Sequence, residues 1–141
     1  MEGTNKPTKA RVYIVKEKDG SYSSYSDDCA KLGYGLIGEG NTAAEAIAEW
    51  ETVYEDMKEN FRKDGLPFNE AEFVYCYDVP SFLSYYGQLL TFKGLARVTG
   101  VSAAQLSQYA TGYRNPSRAT TEKIERGVKA LSEELAAVGF V

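Results

Sequence analysis

The chain has 141 residues, of which 43% are hydrophobic, enough for the core of one ordinary domain or of two small ones. It contains no apolar run near the roughly 18 residues that a membrane span needs. It also has no histidine, which excludes a Ser-His-Asp triad and a His-ligated zinc site.

The N-terminus and the cysteines bear on location. The first ten residues, MEGTNKPTKA, are polar and lack the apolar core of a signal peptide, so we expect a cytoplasmic protein. Cys29 and Cys76 are far apart and form no CxxC pair. We expect both to be reduced and structural.

The net charge of −4 conceals an asymmetry. Residues 1–90 hold 9 Lys and Arg against 16 Asp and Glu, a net charge of −7, whereas residues 91–141 hold 7 against 4, a net charge of +3. Between Thr91 and Arg118 there are four basic residues and no acidic one. Because a nucleic-acid binder needs a basic patch on one module, this window is a candidate DNA-binding surface.

The first part of the chain predicts a small α+β domain at 9–78 behind a flexible tail at 1–8. Asp19-Gly20 is a turn signal, and residues 27–35 are expected to form a loop. Four strands are expected, at residues 9–17, 21–26, 36–38 and 72–78. We expect them to form a small antiparallel sheet with one packed helix.

That helix is predicted between the third and fourth strands. Thr42 is its expected N-cap, and Glu45 three residues later completes the capping-box pattern. Apolar residues then recur at helical spacing as far as Phe61 and are expected to pack on the sheet. The opposite face is acidic, and Asp64-Gly65 ends the helix.

Residues 79–141 are predicted to form an all-helical domain. Helices are expected from near Pro80, at 91–99, at 102–111 and from 118 to 138. The last is either one helix or two that meet near Gly127. The middle two are joined by a short turn at Gly100, which is the outline of a DNA-binding helix-turn-helix. Ser102 is the expected N-cap of the second of these two helices, and Gly112 is expected to end it.

In a helix-turn-helix the second helix enters the major groove, and its outward residues reach base edges. Leu106 and Tyr109 have the spacing of the inward face. The predicted base-reading residues lie on the other face: Ala103, Ala104, Ser107 and Gln108. Gln pairs with adenine through two hydrogen bonds, and Ala contacts the thymine methyl group. The predicted contacts to backbone phosphates surround this set: Lys93, Arg97, Ser102, Gln105, Tyr113, Arg114, Asn115 and Arg118.

Two stretches carry family resemblances. LARVTGVSAAQLSQYATGYRNPS resembles the Cro/lambda-repressor-like helix-turn-helix family in its Leu-Ala, its Gly-Val-Ser and its glycine-closed second helix before a basic, Pro-containing loop. It departs from that family at Ala110-Thr111, where an acidic-polar pair is usual. RVYIVKEKDGSYSSY and GYGLIGEGNTAAEAIAEW resemble HicB antitoxins of type II toxin–antitoxin systems. HicB proteins have a reduced RNase H-like fold, and several carry a C-terminal DNA-binding domain.

The HicB resemblance implies a function. The N-terminal domain would bind and neutralise a HicA-type mRNA-cleaving toxin, and the C-terminal domain would bind operator DNA as a homodimer or higher homo-oligomer to repress its own operon. The net charge of −7 over residues 1–90 suits a basic toxin. Acidic residues of turns, loops and strand edges are the candidate toxin contacts: Asp19, Asp27, Asp28 and Glu39.

We predict no catalytic, cofactor-binding or metal-binding residue and expect no enzyme. Two-metal chemistry needs carboxylates held around ions about 4 Å apart, whereas the predicted turn and loop place Asp19 and Asp27 away from Asp78. Two alternative functions stay open. One is a helix-turn-helix transcription regulator whose N-terminal domain only dimerises or senses a ligand. The other is a protein-interaction domain that no longer binds DNA.

Overall fold

A computed structural model describes residues 6–141, so most of the predicted tail lies outside the described residues. The chain divides into two compact units, one ending at Ser81 and the other spanning Phe82–Val141. The elements in chain order are β1(Thr8–Lys16), β2(Tyr22–Tyr25), α1(Cys29–Leu32), β3(Ile37–Gly40), α2(Ala43–Lys63), β4(Ala71–Tyr77), α3(Val79–Tyr86), α4(Phe92–Thr99), α5(Ala103–Thr111) and α6(Arg118–Ala136). No helix in the described range is long and apolar enough to cross a bilayer.

The first unit is an α+β layer built on a four-stranded mixed sheet of order β3-β2-β1-β4. β2 is antiparallel to both β1 and β3, but β4 is parallel to β1. The prediction of an antiparallel sheet is therefore wrong for β4. Two antiparallel steps leave β3 running in the direction of β1. Because the long helix α2 then returns the chain across the sheet, β4 enters in that same direction.

The start of α2 is capped nearly as expected. The Thr42 hydroxyl accepts a hydrogen bond from the Glu45 N–H at 3.1 Å. The Glu45 carboxylate accepts from the N–H of Asn41 at 2.8 Å, one residue earlier than the capping-box pattern predicts. The N-terminus of α2 is thereby fixed at the end of β3.

α2 covers one face of the sheet. Trp50 is fully buried and packs edge-on against Phe73 of β4, with 5.4 Å between ring centroids. Gly38 of β3 lets the helix approach closely, since a Cβ atom there would lie 2.9 Å from the Ala46 carbonyl oxygen. The core of this unit therefore lies between α2 and the sheet.

Residues 27–35 are not a plain loop, because they contain the one-turn helix α1. Gly33 ends it with a φ of 90°, and Leu32 is buried. The Asp28 carboxylate accepts a hydrogen bond from the Arg11 N–H of β1 at 2.9 Å. So short a helix is held by these contacts and has no periodic pattern of its own.

In the second unit, α4 and α5 are joined by a turn that begins at Gly100, which has a φ of 77°. Val101 is buried in this turn, and Leu95 and Leu106 are buried on the two helices it joins. α6 is a single helix that continues through Gly127 and decides the alternative left open by the sequence.

Candidate nucleic-acid interface

The N-terminus of α5 is closed by a complete capping box. The Ser102 hydroxyl oxygen accepts from the Gln105 N–H at 3.1 Å, and the Gln105 side-chain oxygen accepts from the Ser102 N–H at 3.4 Å. The Ser102 hydroxyl also donates to that oxygen at 3.2 Å. These two predicted phosphate contacts therefore hold each other in place, and both remain exposed.

The outer face of α5 carries the residues predicted to read bases. Leu106 and Tyr109 are buried on the inner face. Opposite them lie the four predicted base-reading residues. Ala104 and Ser107 are exposed, whereas Ala103 and Gln108 are half-buried. This face is small and uncharged, so it adds little electrostatic attraction by itself.

The segment after α5 is tied to the end of that helix. Gly112 caps α5 in the left-handed conformation, with a φ of 82°. The Arg114 N–H then donates to the Gln108 carbonyl oxygen at 3.3 Å. Arg114 and Asn115 are exposed, and Tyr113 is 78% exposed. A cation and two polar side chains are thereby held next to the outer face of α5.

The remaining predicted phosphate contacts lie on α4 and α6. Lys93 and Arg97 are exposed and four residues apart, so they share one face of α4. Arg118 begins α6 with a side chain that is 95% exposed, and it lies 3.8 Å from the Glu122 carboxylate. An exposed pair of this length leaves the guanidinium accessible to other anions.

One positively charged side chain near the turn at Gly100 was not among the predicted phosphate contacts. Lys123 of α6 lies against Gly100, with its Cε and Nζ 3.0 and 3.4 Å from where a Cβ of Gly100 would be. The lysine therefore adds positive charge beside the turn between α4 and α5. No local pattern could have indicated it, because its position depends on α6 packing against α4.

The four acidic residues predicted to contact a toxin do not form one cluster. Asp27 and Asp28 border a cavity of about 500 Å³, together with Lys9, Arg11 and Lys31. Glu39 and Asp19 do not line this cavity: one lies on β3 and the other in the turn after β1.

The carboxylates of Asp19 and Asp78, like that of Asp28, accept hydrogen bonds from backbone N–H groups. Asp19 accepts from the N–H and the hydroxyl of Ser21 at 2.9 and 2.6 Å, and these hydrogen bonds lower the pKa of its carboxyl group. Asp78 accepts from the N–H groups of Lys16 and Ser81, both at 2.9 Å. Within residues 6–141, no three Cys, Asp or Glu side chains converge as a metal site.

The densest negative charge of the first unit lies on α2. Residues 43–57 hold five acidic residues and no basic one, and all five are exposed: Glu45, Glu49, Glu51, Glu55 and Asp56. The sequence predicted an acidic face on this helix, at Glu45, Glu49, Glu55, Asp56 and Glu59, but did not include it among the toxin contacts. Helical periodicity places these residues away from the buried stripe. Glu51 lies nearer the sheet, where its carboxylate accepts a hydrogen bond from the Tyr75 hydroxyl at 3.2 Å.

Comparison with known proteins gives no match: no family model, no curated protein and no solved structure matches this chain.

Proposed function

We propose that this protein is a DNA-binding antitoxin, whose second unit binds the operator of its own operon and whose first unit neutralises a basic mRNA-cleaving toxin of the HicA type. The observation that supports the proposal best is the surface around α5. There an uncharged helix face is flanked by exposed cations within a stretch, Thr91 to Arg118, that has no acidic residue.

The charged and the uncharged residues of this surface have different roles in DNA binding. Lys93, Arg97, Arg114 and Arg118 supply attraction to phosphates, which sets position and affinity without reading sequence. The base contacts come from four residues of α5, namely Ala103, Ala104, Ser107 and Gln108. Because these base contacts are few, two copies of the module are needed to read two half-sites with useful specificity.

The antitoxin part of the proposal is supported by charge. The first unit has an excess of carboxylates, and the exposed acidic face of α2 is a complementary surface for a basic protein. This face, rather than the scattered Asp19 and Glu39, is the stronger candidate for toxin contact.

A co-expression experiment tests the antitoxin activity. If a neighbouring reading frame encodes a small basic protein, that protein is expressed alone and with this chain, and cell growth is measured. We expect growth to be restored by this chain. A double charge reversal on α2, Glu55→Lys with Asp56→Lys, should weaken the rescue. The same charge change on α6, Glu133→Lys with Glu134→Lys, is the matched control and should preserve it.

Failure of the wild-type chain to restore growth would contradict the antitoxin activity. The second candidate function would then be favoured. This is a transcription regulator whose first unit dimerises or senses a ligand. The cavity of about 500 Å³ beside Arg11 and Asp27 favours that candidate, because it offers both charges to a small polar molecule.

A further inference from the structure

Lys123 of α6 rests on the turn that joins α4 to α5. Its Cε and Nζ atoms lie 3.0 and 3.4 Å from the position that a Cβ atom of Gly100 would take. Gly100 has a φ of 77°, which favours glycine, and its N–H donates to the Ala96 carbonyl oxygen. Because glycine has no side chain, the end of the lysine side chain lies directly over the turn.

The packing of α6 on α4 fixes this position. Ile124, the residue after Lys123, is buried. Gly127 lies one helical turn after Lys123 and therefore on the same face of α6. Since a Cβ atom at Gly127 would lie 2.8 Å from the Thr99 Cα, this face contacts the backbone at the end of α4. The helix itself thus brings the lysine to the turn.

The charge of Lys123 is not neutralised by a neighbour. Within residues 6–141, no carboxylate oxygen lies within 4 Å of its ammonium group. Two other cations of α6 do have such partners: Arg118 lies 3.8 Å from Glu122, and Lys129 lies 3.2 Å from Glu125. Lys123 is also exposed, so its ammonium group is available to an anion from solution.

The turn leads directly into two predicted phosphate contacts. Ser102 follows Gly100 by two residues, a span of at most about 7 Å. Ser102 and Gln105 are exposed and hydrogen-bonded to each other at the start of α5. A phosphate that approaches Ser102 therefore also approaches the positive charge beside Gly100. Attraction between these charges strengthens as the distance falls.

We propose that Lys123 contacts a DNA phosphate, as a residue that α6 supplies from outside the two helices of the helix-turn-helix and that Gly100 keeps in place. This inference rests on the proposed DNA binding and extends the binding surface onto α6. A contact to backbone phosphate adds affinity for every sequence and does not distinguish bases. Because helix packing positions the lysine, DNA affinity depends on the packing of α6 against α4.

Fluorescence anisotropy of the full-length chain with labelled duplex DNA tests this contact. Lys123→Gln removes the charge and keeps most of the side-chain length. It should weaken binding to all sequences and reduce the salt slope by about 1, because each neutralised phosphate contributes roughly 0.9 to that slope. The affinity advantage of the wild type over Lys123→Gln should therefore shrink about 3.5-fold between about 50 and 200 mM salt.

Two further variants separate a phosphate contact from a general loss of positive charge or of folding. Lys129→Gln makes the same change in net charge on the same helix, but at a lysine already paired with Glu125. It is the matched control and should keep the wild-type salt slope. Lys123→Arg retains the charge and should also keep that slope. Circular dichroism shows whether each variant is folded.

A double-variant experiment tests the part played by Gly100. Asparagine tolerates the left-handed conformation, but its side chain would occupy the space over the turn and displace the lysine. Gly100→Asn should therefore weaken DNA binding of the wild type and add little to the loss in Lys123→Gln. Such non-additivity is expected only for two residues that act together.

The outcomes distinguish this contact from DNA binding as such. A wild-type salt slope for folded Lys123→Gln, or an equal loss of slope for Lys129→Gln, would overturn the contact and leave DNA binding by the second unit intact. Fully additive losses for Gly100→Asn and Lys123→Gln would overturn the role of Gly100. A wild type that binds no DNA at any salt concentration would contradict the proposed function, and this contact with it.

Discussion

Gly127 of α6 lies directly against the backbone of Thr99 in α4, and a Cβ atom at this glycine would lie 2.8 Å from the Thr99 Cα. It would come closer still to the carbonyl oxygen of Val98. Both neighbours are backbone atoms, which cannot move aside as a side-chain tip can. Gly127 therefore sets how closely α6 packs on the helix that precedes the turn at Gly100.

We expect Gly127→Ala to destabilise the second unit by about 1–3 kcal/mol, because overpacking outweighs the better helix propensity of alanine. Denaturant unfolding followed by circular dichroism measures the change. Gly139→Ala is the matched control, since a Cβ there meets no atom within 4 Å. An unchanged or raised stability of Gly127→Ala would show that the two helices do not pack this closely.

Alkaline pH should destabilise the first unit through Tyr34. Its hydroxyl donates to the Asn69 carbonyl oxygen at 2.8 Å, and burial, followed by the nearby Tyr54, raises the pKa of Tyr34 above its usual value near 10. A raised folded-state pKa means that the native state holds the proton longer than the unfolded chain. The stability contribution of Tyr34 is thus complete below pH 10 and is lost as pH rises beyond it.

Denaturant unfolding at several pH values tests this. Tyr34→Phe should lower stability at pH 7 by about 1 kcal/mol, for the lost hydrogen bond, and should make the decline above pH 10 less steep. Tyr113→Phe, at an exposed tyrosine, should leave the curve unchanged. If Tyr34→Phe has the wild-type slope above pH 10, another group causes the alkaline loss.

Ser102 allows its structural role to be separated from its proposed contact with phosphate. Ser102→Ala removes the N-cap of α5 and should cost about 1 kcal/mol of stability. Ser102→Asp keeps a capping oxygen, so we expect near wild-type stability. Its added negative charge should weaken binding to every DNA sequence alike. Wild-type DNA affinity for folded Ser102→Asp would remove this residue from the interface.

Base reading and phosphate binding should respond differently to substitution. Gln108→Ala should relax specificity at one base pair by about 1–3 kcal/mol. Arg114→Ala should weaken binding to all sequences and reduce the salt slope by about 1. Affinities for the wild-type site and for a set of single-base variants, measured at several salt concentrations, distinguish the two. A uniform loss for Gln108→Ala would contradict its assignment as a base-reading residue.

Local signals determined how much could be predicted from the sequence. Thr42 and Ser102 are N-caps as expected, and Gly100 and Gly112 end helices where their flexibility suggested. Features set by distant packing were missed. The parallel direction of β4 follows from the course of α2 across the sheet, and the place of Lys123 follows from the packing of α6 on α4. Neither the direction of β4 nor the position of Lys123 produces a periodic pattern in the neighbouring residues of the sequence.

In the candidate site, too, features set by local sequence signals were predictable and features set by contacts between side chains were not. The exposed face of α5 was predictable because Leu106 and Tyr109 fix the inner face. The mutual hydrogen bonds of Ser102 and Gln105 were only half predicted, since the cap was expected and the reciprocal bond of the glutamine was not. Among the acidic residues, the position of Asp28 in the chain did not show that its carboxylate would accept a hydrogen bond from the Arg11 N–H.

Fluorescence anisotropy of the full-length chain measures whether the second unit binds DNA in a sequence-specific way. Labelled DNA from upstream of its own reading frame is compared with a shuffled duplex of equal length and composition, from about 50 to 200 mM salt. We predict tighter binding to the upstream DNA at every salt concentration and a linear fall of log affinity with log salt. Equal affinity for both duplexes, or no binding to either, would contradict sequence-specific DNA binding by this chain.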